Sequence, residues 1–259
     1  MVAATPSSTP TVNILLLQSH EIASTGLCAL QGRRAKHLRE VLHVEVGTTV
    51  RAGVLNGALG SATVVTVDAH EVTVQIQLDQ VPQPLEDVLL LAVPRPKVLL
   101  RMLSHAAAMG FARIILFRCW RVDKSWLQSR AFHDSIQRDQ LTLGLEQAGR
   151  TQLPQVVLFD RFKPMLEDVL PQQSLPSLRL LAHPSASTGT HQLGSLGIRG
   201  KAKQPLALAI GPEGGFLPYE VDKFAAIGFH PISCGPHALR TETALAAIWG
   251  QLELLRQRP

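Results

Sequence analysis

From residue 86 to the carboxyl terminus, short apolar runs alternate with longer segments of helical periodicity. Continuous apolar runs are typical of strands covered on both faces, so the alternation predicts an α/β fold with a parallel sheet. The predicted strands are Val88–Val93, Arg113–Phe117, Gln155–Phe159, Leu178–Ala182, Leu206–Ile210 and His230–Ser233. The predicted helices are Lys97–Met109 (ending at Gly110), Ser129–Ala148, Lys163–Leu170, Pro218–Ile227 and Thr241–Arg256. Residues 184–203 show neither the periodicity of a helix nor that of a strand.

Residues 13–81 have the shorter period of a β structure. Thr48–Leu55 runs into Asn56-Gly57, a strong hairpin signal, and Ser61–Leu78 is rich in Val and Thr around a predicted turn at Asp68–His70. Several short strands with close turns predict a small β-barrel, because closure removes exposed sheet edges. The prolines of Val81–Glu86 indicate a linker. We therefore predict domains at 1–85 and 86–259, with residues 1–12 as a flexible tail.

One helix, Arg33–Leu42, interrupts the β pattern. Its apolar face would pack against the barrel and consists of Ala35, Leu38, Val41 and Leu42. The remaining positions are crowded with Arg33, Arg34, Lys36, His37 and Arg39. Such a basic face is either simply solvated or contacts the phosphates of a nucleic acid, and both interpretations stay open.

Composition narrows the classes of protein. Hydrophobic residues make up 46% and charged residues 17% of the chain, as in globular proteins, and no apolar run has the length of a membrane span. The three cysteines, Cys28, Cys119 and Cys234, lie far apart and form no Cys-x-x-Cys pair. We therefore expect neither disulfides nor a metal site, which fits a protein of the reducing cytoplasm. The net charge of +5 favours a polyanionic partner.

Three loops follow predicted strands: Leu181–Ala186, Ile210–Gly215 and Ser233–Arg240. Parallel sheets place their ligand sites beyond the carboxyl ends of the strands, and glycines let a backbone approach a ligand closely. A single Gly-Pro pair usually marks only a turn, whereas two such loops favour a ligand site. The phosphate-binding patterns GxGxxG and GxxxxGK[ST] are absent, which argues against a phosphate-cradling nucleotide enzyme. Thr241 is expected to cap the last helix.

Ile210-Gly-Pro-Glu-Gly-Gly215, followed by Leu239-Arg-Thr-Glu-Thr-Ala244, resembles the SPOUT class of methyltransferases. Within that class the chain most resembles the ribosomal RNA small subunit methyltransferase E family, which methylates uridine at N3. The similarity covers almost the whole chain. Leu38–Leu42 and the Asn56-Gly57 hairpin resemble the family's PUA-like barrel, and Glu146–Arg150 and His183-Pro184 resemble two further motifs.

The resemblance implies a parallel sheet with a deep trefoil knot, a PUA-like N-terminal barrel, and a homodimer formed through the knotted domain. It also implies that the knot loops bind S-adenosylmethionine. The backbones that would hold it lie around Leu181, Ile210, Gly211, Gly215, Cys234 and Leu239. To the same loops we assign His183, Ser233, Gly235 and Thr241, with His183 more a positioning residue than a ligand. The RNA contacts would come from Arg33, Arg34, Lys36 and Arg39.

Methylation at N3 requires the uridine imide to lose its proton, and the base must be unpaired to react. An arginine near the base would stabilise the negative charge on the flanking oxygens. Arg240 is the first candidate and Arg150 the second, while Glu213 or Glu242 would orient groups or accept the proton. The alternatives are a phosphate clamp for Arg240 and, for Glu242, a favourable charge at a helix amino terminus.

The chain also departs from the family. His105 and Ala108 replace a Lys and a Glu common in the first helix of the catalytic domain, His237 replaces an Arg, and Cys234 an aliphatic residue. These changes concern RNA docking and target identity more than the cofactor site. Trp120 and Trp126 lie beside basic residues and could stack on bases, but such residues more often lie in the core or at a dimer interface, and we favour the interface.

The leading functional hypothesis is methylation of a uridine at N3 in 16S ribosomal RNA. One alternative is a methyltransferase for another RNA or for a ribose 2′-hydroxyl. A second is a protein that binds RNA without catalysis.

Overall fold

The computed structural model describes residues 13–183, 191–195 and 204–257. The predicted tail therefore lies outside the described residues, as does most of the aperiodic segment 184–203 with Pro184. The chain divides into two compact units, Met1–Pro84 with Thr142–Leu153, and Leu85–Leu141 with Pro154–Pro259.

The first unit contains a five-stranded sheet and one helix. In chain order its elements are β1 Leu15–Leu17, β2 Leu27–Gln31, α1 Gly32–Glu40, β3 Thr49–Val54, β4 Leu59–Val67 and β5 Glu71–Gln80. The strand order is β1-β3-β4-β5-β2, in which β1 is parallel to β3 and every other pair is antiparallel. Alternate residues of the antiparallel strands face a shared core, as period-two patterning requires.

Helix α1 contributes Ala35 and Leu38 to that core, as predicted. The prediction for Val41 is wrong, because the helix ends at Glu40 and the Val41 side chain is 61% exposed. Leu42 lies beyond the helix end but still packs against the core. Val41 is the C-cap of α1, and its N–H still donates to His37 O at 3.0 Å, so its side chain keeps its place on the helix surface and faces solvent there.

The predicted hairpin at Asn56-Gly57 is confirmed between β3 and β4, with Asn56 at a φ of +59°. Residues beyond α3 hold this turn: Asn56 N–H donates to Thr151 O at 2.7 Å, and Thr151 Oγ1 donates to Gly57 O at 2.7 Å. Leu153 N–H donates to Asn56 Oδ1 at 2.8 Å. These bonds explain why Thr142–Leu153 belongs to the first unit.

The second unit is built on a seven-stranded sheet in which every pairing is parallel. Its elements are β6 Val88–Ala92, α2 Pro96–Met109, β7 Arg113–Phe117, α3 Asp134–Ala148, β8 Gln155–Phe159, α4 Phe162–Pro164, β9 Leu178–Ala182, β10 His191–Gln192, β11 Leu206–Ile210, α5 Pro218–Ala226, β12 His230–Ser233 and α6 Thr241–Gln257. The strand order is β10-β12-β9-β11-β6-β7-β8. The predicted α/β fold with a parallel sheet is confirmed. The unit boundary falls within α3.

Two predicted helices have other bounds. Helix α3 begins at Asp134 rather than at Ser129, whose hydroxyl instead accepts a hydrogen bond from Ala131 N–H in a short 3-10 turn. The predicted helix Lys163–Leu170 is one α turn followed by a π-helical segment, Met165–Val169, and a 3-10 turn, Leu170–Gln172. Pro164 and Pro171 remove backbone donors, so a regular helix cannot continue here.

The central strands β6 and β11 are buried along their whole length, which accounts for their unbroken apolar sequences. Beside them, aromatic rings pack between β7, α5 and the loop after β11. Phe117 stacks on Phe216 with ring centroids 6.3 Å apart, and Phe224 contacts both rings at 5.9 and 5.3 Å. This cluster fixes the loop after β11 relative to β7.

An ion pair that is almost fully buried joins the amino ends of β6 and β11 to α6. Arg256 on α6 donates to both carboxylate oxygens of Asp87 at 3.0 Å and to Gln204 O at 2.9 Å. The same carboxylate accepts from Leu206 N–H at 2.8 Å, at the start of β11. Burial lowers the pKa of Arg256, but the hydrogen bonds and charge of Asp87 outweigh it and the net pKa is raised. The guanidinium is therefore a permanent cation at this end of the sheet.

Candidate functional site

A cavity of about 240 Å³ lies at the carboxyl ends of β9, β11 and β12. Two loops form its walls: Gly211–Phe216, here called the glycine loop, and Cys234–Arg240, called the C-terminal loop. Most residues assigned to cofactor binding line it, namely His183, Ile210, Gly211, Gly215, Ser233, Cys234, Leu239 and Thr241. Leu181 and Gly235 do not. Leu181 is buried inside β9, and Gly235 is exposed in the C-terminal loop.

The glycine loop needs its glycines for two separate reasons. At Gly211 a Cβ would meet the Phe216 ring at 3.0 Å, so the packed ring would have to shift to admit a side chain there. At Gly215 the backbone has a φ of +73°, a conformation that side chains strain, and its N–H closes a turn onto Pro212 O at 2.8 Å. The tight turn leaves the loop backbone uncovered toward the cavity.

Two arginines from neighbouring loops hold the glycine loop. Arg95, just before α2, pairs with Glu213 at 3.2 Å, and the Arg121 guanidinium donates to Gly214 O. The Arg95 side chain is 68% exposed, so its charge faces solvent beside the cavity. Glu213, a candidate base, therefore lies within an ion pair.

Glu220 is a positioning residue near the cavity that the sequence analysis missed. Its carboxylate is buried and accepts from Trp120 N–H and Leu217 N–H, both at 2.8 Å. These bonds join the loop after β7 to the start of α5, immediately beyond the glycine loop. The available signal was local: a Pro at the first helical position and an acid two residues later suit a helix amino terminus.

The C-terminal loop is held by hydrogen bonds from Ser233 and from Gln251 of α6. Ser233 Oγ donates to Gly235 O at 2.8 Å, and Gln251 Nε2 donates to Cys234 O at 3.1 Å. Residues 235–240 are exposed, and Arg240 lies between two lining residues, Leu239 and Thr241, without itself being part of the lining. The prediction that Thr241 caps α6 is wrong: Thr241 is the first helical residue and is buried, and Ala244 N–H donates to Arg240 O at 2.8 Å.

Glu242, in the first turn of α6, pairs with Arg101 of α2 at 3.0 Å. Its own backbone N–H and then Arg101 lower the pKa of its carboxyl. A carboxylate stabilised in this way is a weak proton acceptor. Its surroundings favour the orienting role over that of a base.

His183 lines the cavity at the end of β9, where its N–H donates to Ile232 O at 2.9 Å. Burial lowers the pKa of its imidazole, so the ring is neutral at pH 7. Its Nδ1 atom is buried without a hydrogen-bond partner among the described residues. No group of three or more His, Cys, Asp or Glu side chains suited to a metal occurs within residues 13–183, 191–195 and 204–257.

Comparison with known proteins decides the family. A family described as RNA methyltransferase domain matches residues 81–253. The ribosomal RNA small subunit methyltransferase E of Treponema pallidum (strain Nichols) is 30% identical over 91% of this chain and 88% of its own length. The chain belongs to the ribosomal RNA small subunit methyltransferase E family. The methyltransferase E 1 of Borreliella burgdorferi is 25% identical over 91% of the chain and 95% of its own length.

Two solved structures share the fold of this methyltransferase E family member. A ribosomal RNA small subunit methyltransferase E from Neisseria gonorrhoeae, bound to S-adenosylmethionine, is 20% identical with a TM-score of 0.72. It covers 94% of this chain and 98% of that one. A Legionella pneumophila protein in complex with S-adenosylmethionine is 24% identical with a TM-score of 0.69, over 94% and 98% of the two chains.

In this methyltransferase E chain the four basic residues assigned to RNA already have partners within the first unit. Arg33 makes two hydrogen bonds to Glu146, at 2.9 and 3.0 Å, and Lys36 lies 3.8 Å from Glu40. Arg34 pairs with Glu21 and donates to Leu16 O at 3.2 Å, while Arg39 donates to Ala69 O. Arg33 and Lys36 remain more than 60% exposed, whereas Arg34 is 25% exposed and serves the fold.

Three further residues have definite places. Arg150 lies in the first unit, where its N–H donates to Leu145 O at 3.0 Å. Trp120 is 80% exposed, so a place in the core is wrong for this residue, and Trp126 is half-buried.

Among the described residues, no helix is both long and apolar enough to cross a membrane.

Proposed function

We propose that the protein transfers a methyl group from S-adenosylmethionine to N3 of a uridine in small-subunit (16S) ribosomal RNA. The observation that carries the proposal is the cavity between the glycine loop and the C-terminal loop, in a chain of the methyltransferase E family. Solved relatives with the same fold bind S-adenosylmethionine. The names of the curated relatives support the ribosomal substrate.

The residues around the cavity fit this cofactor. Apolar walls at Ile210, Ile232 and Leu239 suit an adenine ring, and the glycine loop offers backbone groups that no side chain covers. The buried Nδ1 of His183 lacks a partner among the described residues and is available to a ligand hydroxyl or amine. When bound, S-adenosylmethionine supplies an electrophilic methyl group on a positively charged sulfur.

Arg240 is proposed as the catalytic cation. It stands between Leu239 and Thr241, which both line the cavity, and its guanidinium is exposed to an incoming base. Once N3 has lost its proton, negative charge spreads to the two flanking carbonyl oxygens of the uridine. A guanidinium presents paired donors to such oxygens and stabilises the charge as it develops. Arg150 remains the second candidate.

Glu213 and Glu242 are proposed to position cations rather than to take the N3 proton. Each carboxylate pairs with an arginine from the region of α2, Arg95 for Glu213 and Arg101 for Glu242. The lowered pKa of Glu242 supports this assignment, because a stronger acid is a poorer base.

We also propose the architecture of the two domains and of the dimer. Residues 1–85 would form a PUA-like RNA-binding barrel, with Arg33, Lys36 and the neighbouring Arg34 and Arg39 toward the phosphates, and 86–259 a SPOUT domain with a deep trefoil knot. We further propose a homodimer formed through the knotted domain, with the exposed Trp120 at its interface. A cytoplasmic location is supported by the proposed ribosomal substrate.

The test uses the full chain with methyl-labelled S-adenosylmethionine and small ribosomal subunits from cells that lack the enzyme. We expect incorporation into 16S RNA, and nucleoside mass spectrometry should identify 3-methyluridine. A 2′-O-methyl nucleoside would instead support a ribose methyltransferase. RNA binding without incorporation would support a non-catalytic binding protein.

A further inference from the structure

The first unit contains a second cavity, of about 430 Å³, that belongs to no site described above. It lies between α1, β3 and the Thr142–Ala148 part of α3, all within this unit. Its floor is apolar, with Leu38, Leu42 and Val50, and Arg33 and Arg51 stand among its lining. We call it the basic cleft. An apolar floor with a few cations is the usual character of a ligand site rather than of a packing defect.

Arg51, on β3, distinguishes the basic cleft from an ordinary charged surface. Its guanidinium packs against Gly149, where a Cβ would lie only 3.1 Å from both terminal nitrogens. The side chain is half-buried, yet its guanidinium donates no hydrogen bond to any residue in the described part of the chain. A flat cation held against a glycine, with its donors unused, is available to a planar ligand.

The opposite side of the basic cleft is held by hydrogen bonds. Arg33 is fixed by its two hydrogen bonds to Glu146, and Glu146 O accepts from Ile14 N–H at 2.8 Å. The Arg33 side chain remains 63% exposed, so its charge is still felt at the mouth of the cavity. His37 of α1 also lines the cleft. The cleft therefore presents positive charge at its edge and apolar surface inside, which suits a ligand with an anionic end and a flat apolar body.

We infer that the basic cleft receives one unpaired nucleotide of the RNA substrate, separate from the uridine that is methylated. The inference rests on the proposed function, which supplies the RNA. An unstacked base has two apolar faces and a polar edge, and proteins hold such bases on guanidinium planes and apolar side chains. Its 5′ phosphate would lie toward Arg33. A base inside a duplex is already stacked on both faces and cannot enter a concave site of this size.

The experiment compares binding of a fluorescently labelled single-stranded RNA and its duplex to the full protein. Arg51→Met keeps the length and apolar body of the side chain but removes the planar cation. We expect it to weaken single-strand binding roughly 10-fold, within the range for one stacked base. Leu143→Glu, at a 40% exposed position on the cleft, should weaken binding by placing a carboxylate where the nucleotide and its phosphate would lie. Arg161→Met, at an exposed position in the second unit, is the matched control.

Binding of both variants within twofold of the wild type would overturn the inference, and so would equal affinity for duplex and single strand. Rescue by Arg51→Lys would overturn the stacking role, because lysine restores only the charge. Methyl transfer separates this result from the proposed function: the variants should raise KM for RNA while kcat stays unchanged. A wild-type protein that binds single strands through Arg51 but transfers no methyl group would refute the proposed function alone.

Discussion

At the carboxyl ends of β9, β11 and β12 the chain builds glycine turns, an open cavity and exposed arginines. At the amino ends of β6 and β11 of the same sheet it buries one carboxylate and one guanidinium, joined by two hydrogen bonds of 3.0 Å. Both ends contain Arg–carboxylate pairs, but the pair Arg95–Glu213 is largely exposed, whereas Arg256 is only 8% exposed.

This difference in burial gives the two ends of the parallel sheet separate roles, one in stability and one in ligand binding. An exposed ion pair contributes little to stability and can exchange its partner for a ligand. A buried pair is costly to break, since the remaining charge is left without compensation. We therefore expect substitutions at the amino ends to change the free energy of unfolding, and substitutions at the carboxyl ends to change binding and turnover.

The largest effect is expected for Arg256→Ala. The substitution leaves the Asp87 carboxylate buried without its cation, which costs about 3 to 5 kcal/mol of unfolding free energy. Urea unfolding followed by circular dichroism measures the loss. Arg101→Ala, which breaks the exposed pair with Glu242, is the control at the other end and should cost less than about 1 kcal/mol. Equal losses in the two variants would contradict the comparison.

The next effect concerns catalysis. Arg240→Ala should lower kcat for methyl transfer about 100- to 1000-fold, as for the loss of one donor to a developing oxyanion. Because the Arg240 side chain is exposed, the melting temperature and the affinity for S-adenosylmethionine should remain those of the wild type. Scanning calorimetry measures the melting temperature, titration calorimetry measures the affinity for S-adenosylmethionine, and methyl-transfer kinetics measure kcat. A variant that retains kcat but needs more RNA would assign Arg240 to a phosphate contact instead.

Glu220→Gln tests whether a buried carboxylate near the carboxyl ends of the strands contributes to stability, to cofactor binding or to both. The glutamine amide replaces one of the two acceptors, so either Trp120 N–H or Leu217 N–H faces another donor. We expect a loss of about 1 to 3 kcal/mol of stability and a raised KM for S-adenosylmethionine. Glu86→Gln, at an exposed position in the second unit, is the matched control. Unchanged stability would show that the two amides find other acceptors.

The smallest effect is the pH dependence due to His183. Burial lowers its pKa in the folded state, so the unfolded chain takes up a proton first as the pH falls below about 6.5. The stability linked to the neutral ring is therefore present above about pH 6.5 and is lost as the pH falls toward the folded-state pKa. His183→Gln should lose less in melting temperature than the wild type between pH 7.5 and 5.5, by about 2 °C. His230→Gln, at an exposed position, should follow the wild type.

Local patterns in the sequence predicted much of this fold. The unbroken apolar run of β6 predicted a buried parallel strand, and Gly110 ends α2 with a φ of +90°, as its position after Met109 indicated. The Asn56-Gly57 hairpin was equally clear. In each case the residues that signal the element lie within a short window of sequence, although distant residues, Thr151 and Leu153, also hold the hairpin turn.

Interactions between distant residues were not predicted. Asp87 and Arg256 are 169 residues apart, and Trp120 and Glu220 are 100 apart, so no periodicity relates them. The end of α1 was misplaced because Val41 continues the apolar period although the helix has already ended. In the candidate site, the glycine positions were visible in the sequence, whereas the pairing of Glu213 and Glu242 with arginines was not. Choosing among carboxylates requires knowledge of their neighbours, which only the folded chain supplies.

The Asp87–Arg256 pair also orders events during synthesis. A ribosome adds 5 to 20 residues each second, so Asp87 leaves about 10 to 30 s before Arg256. Throughout that interval the Asp87 carboxylate at the start of β6 lacks the cation with which it pairs in the folded chain, and the amino end of β11 is not yet held in place. The second unit therefore reaches its final state only after Arg256 has been synthesised. A stop codon or a protease cut just before Arg256 would produce a chain that contains every loop of the cavity but lacks the last residue needed to hold the sheet together.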